Sequence, residues 1–191
     1  LYACSPYKFL GPHLGALTGD PALLERLKPD KLLPSSDAVP ERFELGTLPY
    51  ELLAGTTAAV DFLAGIASDP ADPADRRARI AKSMAAVEDH EEQLFGRLLE
   101  GLGGIGGVTL HGSPKRRTPT ALFSVDGRSP GAVYEALAER GVNAPASRFY
   151  AIEAVRWMGL GDSGAVRAGI APYTDDDDVD RLLAAVSEVA R

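Results

Sequence analysis

Apolar residues recur at helical spacing in three long segments of this chain. In each segment leucine, isoleucine and valine return every three or four positions, which is the period of an amphipathic α-helix. The three predicted helices are residues 49–66, 76–102 and 175–191. A run of glycines from Gly101 to Gly107 ends the longest of them.

Shorter apolar runs between these helices predict β-strands. The predicted strands are residues 14–18, 108–111, 120–125, 142–144 and 165–170. Two short helices are also predicted, each with a proline at its first position after an N-capping Asp20 or Ser129. In the second half of the chain the order is β-β-α-β-β-α. This order favours a small α/β sandwich with helices on one face of a largely antiparallel sheet.

Prolines divide the chain into two predicted regions. Residues 28–44 contain three prolines and are predicted to form an ordered loop. Residues 68–75 repeat small, acidic and proline residues and are predicted to form a linker or tight connection between helices. We therefore predict a first region over residues 1–75 and a second over residues 76–191.

Composition and charge narrow the classes of function. The chain has 191 residues, is 45% hydrophobic, and carries a formal net charge of -7 with a pI near 5.0. Such an acidic chain argues against general nucleic-acid binding. The single cysteine, Cys4, excludes an internal disulfide framework and favours a reducing, cytoplasmic setting. No apolar run reaches membrane-spanning length, so no membrane partner is expected.

No pattern in the sequence indicates a metal site. The three histidines are far apart, without ligand spacing on any one element. Four consecutive aspartates, Asp175 to Asp178, precede the last helix but lack the glycine and the terminal glutamate of a calcium loop. Because carboxylates stabilise a helix N-terminus, we interpret this run as a helix cap.

A lysine stands in an unusual setting near the start of the chain. The segment reads Ser-Pro-Tyr-Lys-Phe-Leu-Gly-Pro from Ser5 to Pro12, with Lys8 among apolar and aromatic neighbours. A lysine that attacks a carbonyl must be a neutral amine, which burial and nearby positive charge both favour. The alternative from Lys8 alone is a half-buried lysine on a strand edge that extends its amine to solvent.

This segment resembles the cofactor-lysine segment of fold-type I pyridoxal-phosphate (PLP) enzymes of the class V aminotransferase and cysteine desulfurase family. The resemblance implies that Lys8 forms a Schiff base with PLP, and that Ser5 and Tyr7 contact the cofactor phosphate. Many family members have histidine where this chain has Tyr7, whose hydroxyl can still donate a hydrogen bond. The implied fold is α/β: the end of a large PLP-binding domain followed by a small α/β sandwich C-terminal domain.

Two further segments match the same family. The pair Gly46–Thr47 lies about forty residues after the lysine, where a Gly-Thr pair of the family reaches the cofactor phosphate of the other subunit. The resemblance therefore implies a homodimer with shared active sites. Arg167 stands on the predicted strand before the last helix, where the family binds the substrate α-carboxylate. A planar guanidinium suits that task because it pairs with a carboxylate through two hydrogen bonds.

The reaction type stays open at this stage. Desulfurases carry a nucleophilic cysteine in the stretch that corresponds to residues 143–151, and this chain has none there. Amino transfer, lyase chemistry and epimerisation remain, each with an amino acid as the small-molecule substrate. The same stretch contains Phe149 and Tyr150, and Trp157 follows it. Each of these aromatic residues either lies at the edge of the substrate pocket or packs in the interior.

The chain also begins at Leu1 inside an apparent strand, and the upstream half of the family pattern has no counterpart in it. We therefore expect the C-terminal half of a longer enzyme. The alternative hypothesis is a truncated, non-catalytic fragment that serves as a structural or dimerisation module.

Overall fold

The computed structural model describes residues 1–69 and 74–191 and has an α/β architecture. It divides into two compact units, Leu1–Ala85 (unit 1) and Ala86–Arg191 (unit 2). The helices are α1 (Pro21–Arg26), α2 (Tyr50–Ala64), α3 (Arg76–Gly104), α4 (Pro130–Ala138), α5 (Ile152–Trp157) and α6 (Asp176–Val189). The strands are β1 (Tyr2–Cys4), β2 (Ala16–Thr18), β3 (Val108–His111), β4 (Thr120–Val125), β5 (Ala146–Ser147) and β6 (Ala165–Gly169).

Unit 1 contains a small antiparallel pair of strands and a buried arginine. Strands β1 and β2 pair with Tyr2 opposite Thr18. A 3-10 helix, Pro6–Phe9, lies between them in sequence. Arg42, in a second 3-10 helix, is buried and donates to the Glu25 carboxylate at 2.9 Å and to the Glu25 and Leu27 carbonyls at 3.2 Å. This one side chain therefore ties the proline-rich loop to α1.

Unit 2 contains a four-stranded sheet in the order β3-β4-β6-β5, with every neighbouring pair antiparallel. Burial alternates along β4, where Ala121, Phe123 and Val125 are buried and the residues between them are only partly covered. Such alternation shows that one sheet face is packed and the other is open. The largely antiparallel sheet with a helix-covered face, predicted from the sequence, is thus confirmed for this unit.

An apolar core fills the space between the packed face of the sheet and helices α3, α4 and α6. Its most deeply buried large side chains are Leu98 and Leu102 of α3, Phe123 of β4, and Val133 and Leu137 of α4. Leu183 of α6 lies where a Cβ on Gly101 would come within 2.5 Å of its Cδ1 atom. The absence of a Cβ atom at Gly101 therefore gives the Leu183 side chain the space that it occupies.

Capping residues delimit three helices as predicted. Asp20 accepts from the amides of Ala22 and Leu23, and Ser129 accepts from that of Ala132. Asp175 and Asp178 form a reciprocal capping box at the start of α6. The aspartate run is thus a helix cap, as the sequence indicated.

The structure corrects several sequence-based expectations. Residues 142–144 form no strand; instead Gly141 has a positive φ of 72° and the Val142 amide closes the turn onto the Leu137 carbonyl at 3.0 Å. The corresponding strand is β5, two residues later. Helix α5 was not predicted. Of the expected connection at residues 68–75, residues 70–73 lie outside the described part of the chain.

The described residues offer neither a membrane-spanning helix nor a cluster of metal ligands. Across residues 1–69 and 74–191, no helix combines the length and the apolar character needed to cross a bilayer. The same residues contain no cluster of three or more His, Cys, Asp or Glu side chains that could bind a metal ion.

Candidate functional site

The lysine segment folds into a tight turn rather than continuing strand β1. Pro6 is the first residue of the 3-10 helix and Ser5 precedes it, and the Lys8 amide donates to the Ser5 carbonyl at 2.9 Å. The Ser5 side chain makes no capping hydrogen bond. Proline fixes the backbone angle that the first turn of a helix needs. The turn therefore carries the side chains of Ser5, Tyr7 and Lys8 on four consecutive residues.

Gly11 explains how the chain folds back after the lysine. Leu10 adopts a left-handed conformation with φ of 67°, and the Gly11 amide donates to the Pro6 carbonyl at 2.9 Å. A Cβ on Gly11 would lie 2.9 Å from that same oxygen, so only glycine fits without displacement. The Gly-Pro sequence after the lysine thus has a structural reason: it closes the turn.

Lys8 presents a free amine at the surface of unit 1. Its side chain is exposed, and its Nζ atom lies 5.7 Å from the centroid of the Tyr7 ring. The Tyr7 ring in turn lies 4.7 Å from that of His13, at an interplanar angle of 59°. Within the described residues Lys8 has no carboxylate partner. The apolar sequence around Lys8 thus does not bury it in this chain.

The Gly46–Thr47 pair lies on a different segment of unit 1. Gly46 adopts a left-handed conformation with φ of 78°, and Thr47 is exposed. Thr47 is not the N-cap of α2, because the helix begins at Tyr50 after Pro49. Gly46 lines a cleft of about 290 Å³ that is also lined by Glu41 and Glu44. Two acidic residues in the lining disfavour the binding of an anion in that cleft.

Arg167 projects from the open face of the unit 2 sheet. It is exposed on β6 between buried Val166 and Ala168, as the predicted alternation requires. In the register of the sheet it stands opposite Leu122, which stands opposite His111. The guanidinium carbon of Arg167 lies 4.2 Å from the centroid of the Phe149 ring. The arginine is therefore displayed on a sheet face and is held from one side by an aromatic ring.

His111 extends this row of side chains across three strands. Its Nε2 atom lies 3.0 Å from the Ser124 hydroxyl, and partial burial lowers the pKa of the imidazole below its ordinary value of 6.5. Burial acts in this direction because it disfavours the charged form. At neutral pH the imidazole is therefore neutral, and Arg167 is the permanently charged group of the row.

A second cleft of about 340 Å³ lies in unit 2 beside the start of α6. It is lined by Asn143, Tyr173, Asp178 and Arg181, with the backbone after β6. Arg167 does not line this cleft, whereas its buried neighbour Ala168 does. The cleft thus belongs to the packed side of the sheet and not to the face that carries Arg167.

The structure brings some of the predicted site residues together. Ser5, Tyr7 and Lys8 share one turn of unit 1, whereas Gly46 and Thr47 occupy the approach to α2 and Arg167 lies in unit 2. Sequence reasoning missed the contact of Phe149 with Arg167 and that of His13 with Tyr7. The spacing of His13, six residues after Tyr7 across a Gly-Pro turn, was the only signal for the second contact.

The chain is similar to several known proteins. A protein of Mycobacterium tuberculosis named "Uncharacterized protein MT3887" is 30% identical over 94% of this chain, which spans 44% of that protein. A "Probable cysteine desulfurase" of Pseudomonas putida is 30% identical over 98% of the chain, which spans 45% of it. The chain thus spans less than half the length of these relatives.

A solved structure shares the fold. The cysteine desulfurase CsdA of Escherichia coli superimposes with a TM-score of 0.76 at 24% identity, over 98% of this chain and 45% of that one. The sequence model of the family Aminotransferase class-V matches residues 1–182 of the 191. This chain therefore belongs to the class V aminotransferase family.

Proposed function

We propose that this chain is part of a PLP-dependent enzyme that acts on an α-amino acid. One observation carries the proposal: within the family's lysine segment, Lys8 presents an amine without a carboxylate partner from a closed turn. An amine in an ion pair is held protonated and is a poor nucleophile. Among the described residues, no carboxylate pairs with Lys8.

The residues of this turn fit a phosphorylated aldehyde. The Ser5 hydroxyl makes no capping bond, and the Tyr7 hydroxyl is exposed, so both can donate to a phosphate. Lys8 would hold the cofactor covalently through its amine. PLP, when bound, withdraws electrons from the α-carbon of an amino acid and so makes its α-proton acidic. After releasing the cofactor, the Lys8 amine would accept that proton as a general base.

Arg167 would bind the substrate. Its guanidinium is exposed, has no carboxylate partner within the described residues, and contacts only one face of an aromatic ring. The remaining N–H donors are free to pair with an α-carboxylate in a bidentate manner. This recognition selects amino acids over amines and leaves the choice of substrate side chain to other groups.

Three types of reaction fit these residues: amino transfer, a lyase reaction of the desulfurase type, and epimerisation. Relatives named as probable cysteine desulfurases favour the second. The only cysteine of this chain, Cys4, lies on β1 in unit 1 and not in the segment of residues 143–151. A persulfide formed on a cysteine of that segment is therefore not available to this chain, which favours amino transfer.

We further propose a homodimer with shared active sites, formed by a large PLP-binding domain that ends with residues 1–75 and a small domain of residues 76–191. The exposed Gly46–Thr47 pair would serve the partner's cofactor phosphate. Support comes from the exposure of both residues, which leaves Thr47 accessible to a second subunit.

Borohydride reduction of the complete protein, followed by digestion and mass spectrometry, tests the function directly. We expect a pyridoxyl-phosphate adduct on the peptide that contains Lys8. Replacement of Lys8 by alanine should abolish both the adduct and turnover, because no other group of the turn can form the covalent link.

Lys28 is the matched control, since it is an exposed lysine of the same unit. The Lys28 peptide should stay unmodified, and Lys28→Ala should retain the adduct on Lys8. An unmodified Lys8 in protein saturated with PLP would overturn the proposal. The structural or dimerisation module would then be the better interpretation of the chain.

A further inference from the structure

The segment after β5 contains two consecutive non-glycine residues in the left-handed region. Phe149 has φ of 50° and Tyr150 has φ of 61°. Bulky aromatic residues rarely adopt this conformation, because their Cβ atom then lies too close to the backbone. Such a conformation persists only where the surrounding structure holds it in place.

Three features hold this turn. The Phe149 amide donates to the Ser147 hydroxyl at 3.1 Å, and the Ala151 amide donates to the Arg148 carbonyl at 2.8 Å. Gly164 closes the turn from the other side, since a Cβ there would come within 2.1 Å of the Ser147 carbonyl oxygen. The backbone therefore fits together only with glycine at that position.

The two aromatic side chains of the constrained turn have different surroundings. The Phe149 ring lies against the Arg167 guanidinium, whereas the Tyr150 side chain is fully exposed. Strand β5 and the residue before it bring the two segments side by side, and the Arg167 amide donates to the Pro145 carbonyl at 2.9 Å. Both the backbone and the side chain of Arg167 are thus fixed by the segment that contains the turn.

We propose that Phe149 is a positioning residue that sets the plane of the Arg167 guanidinium for the substrate carboxylate. An arginine side chain on an open sheet face otherwise samples many rotamers, and the loss of that freedom opposes binding. Stacking on an aromatic ring reduces the freedom while leaving the N–H edge available. The inference rests on the proposed role of Arg167 in binding an α-carboxylate.

The test compares variants of the two neighbouring aromatic residues in the complete protein. Phe149→Leu should raise the KM for α-amino acids about fivefold and leave kcat within about twofold, because it weakens binding and not the chemical step. Phe149→Tyr should restore the parent KM, since it keeps the ring. Tyr150→Leu is the matched control and should change neither constant.

A structural readout does not depend on activity. In crystals of the Phe149→Leu protein, the Arg167 side chain should occupy several rotamers, and in those of the Tyr150→Leu protein a single one. An unchanged KM together with an ordered Arg167 in the Phe149→Leu protein would overturn the inference.

The Arg167→Leu variant separates the two proposals. If it raises the KM for amino acids while Phe149→Leu does not, the positioning role is wrong and the carboxylate role stands. If Arg167→Leu leaves the KM unchanged although Lys8 carries the cofactor, the carboxylate role fails and the positioning role fails with it.

Discussion

The two units of the chain bury different kinds of side chain. Every residue of the apolar core cluster lies in unit 2, on α3, α4, α6 and the sheet. Among the described residues, the three buried polar or charged side chains all lie in unit 1: Arg42, Ser68 and Ser83. Unit 2 is thus stabilised by a continuous apolar interior, and unit 1 depends more on directed polar contacts.

The exposed apolar side chains show the same contrast. Those that are large and exposed in unit 2 are all aromatic: Tyr134, Tyr150, Trp157 and Tyr173. In unit 1 they include leucines from strands, loops and helices, with Leu33 almost fully exposed at 97%. Burial of a leucine side chain stabilises a fold by about 1.5–3 kcal/mol. The exposed leucines of unit 1 do not contribute this free energy, whereas the buried leucines of unit 2 do.

The largest expected effect comes from the same substitution made in each unit. Leu102 on α3 is fully buried in unit 2 and Leu33 is exposed in unit 1. Leu102→Ala should lower the free energy of unfolding by about 2–5 kcal/mol, because it removes buried methyl groups and leaves a cavity. Leu33→Ala should change it by less than about 0.5 kcal/mol. Chemical denaturation of the two variants measures both.

A comparable loss from both variants would contradict the assignment of the apolar core to unit 2 alone. It would mean that Leu33 is covered in the protein in solution. Circular dichroism of the native baselines should confirm that both variants keep their helix content.

The second effect concerns the polar interior of unit 1. Arg42 is 7% exposed and donates to one carboxylate and two carbonyl groups. Arg42→Met keeps much of the length but removes the donors, and should lower the free energy of unfolding by about 1.5–3 kcal/mol. Arg26→Met, at an exposed position of α1, is the control and should cost less than about 0.5 kcal/mol. Equal losses of unfolding free energy from Arg42→Met and Arg26→Met would show that the buried contacts of Arg42 do not stabilise unit 1.

Most elements of both units could be predicted from the sequence, since α1 and α2 of unit 1 also match their predicted segments. Helices α3, α4 and α6 and strands β3, β4 and β6 all matched their predicted segments closely, because each buries one face and so carries a clear period. Helix α5 was missed, since six residues are too few to show a period. The prediction of a strand at residues 142–144 was wrong because the chain turns at Gly141. Val142 and Ala144 after the turn are buried and apolar, so the sequence there resembles that of a short buried strand.

The residues of the candidate site could be predicted only where the sequence immediately around a residue indicates its role. Lys8 and Arg167 were identifiable because a residue type stood in a recognisable local sequence. The turn around Lys8 was not, since the 3-10 helix follows from the proline and from the approach of Gly11 to Pro6. The contact of Phe149 with Arg167 depends on pairing of β5 with β6 and on Gly164, none of which a single segment encodes.

The smallest expected effect tests whether polar groups also contribute to stability in unit 2, on the open face of its sheet. Partial burial lowers the pKa of His111, so the unfolded chain binds a proton more readily than the folded one. Stability contributed by the neutral imidazole is therefore fully present above pH 6.5 and is lost as the pH falls below that value.

His111→Gln keeps a group that can form a hydrogen bond with Ser124 but does not titrate. Unfolding measured from pH 8 to pH 5 should show a constant difference between the two proteins above neutrality and a relative gain for the variant below it. Parallel curves over the whole range would show that burial of His111 does not favour its neutral form, and that the open sheet face is fully hydrated at this position.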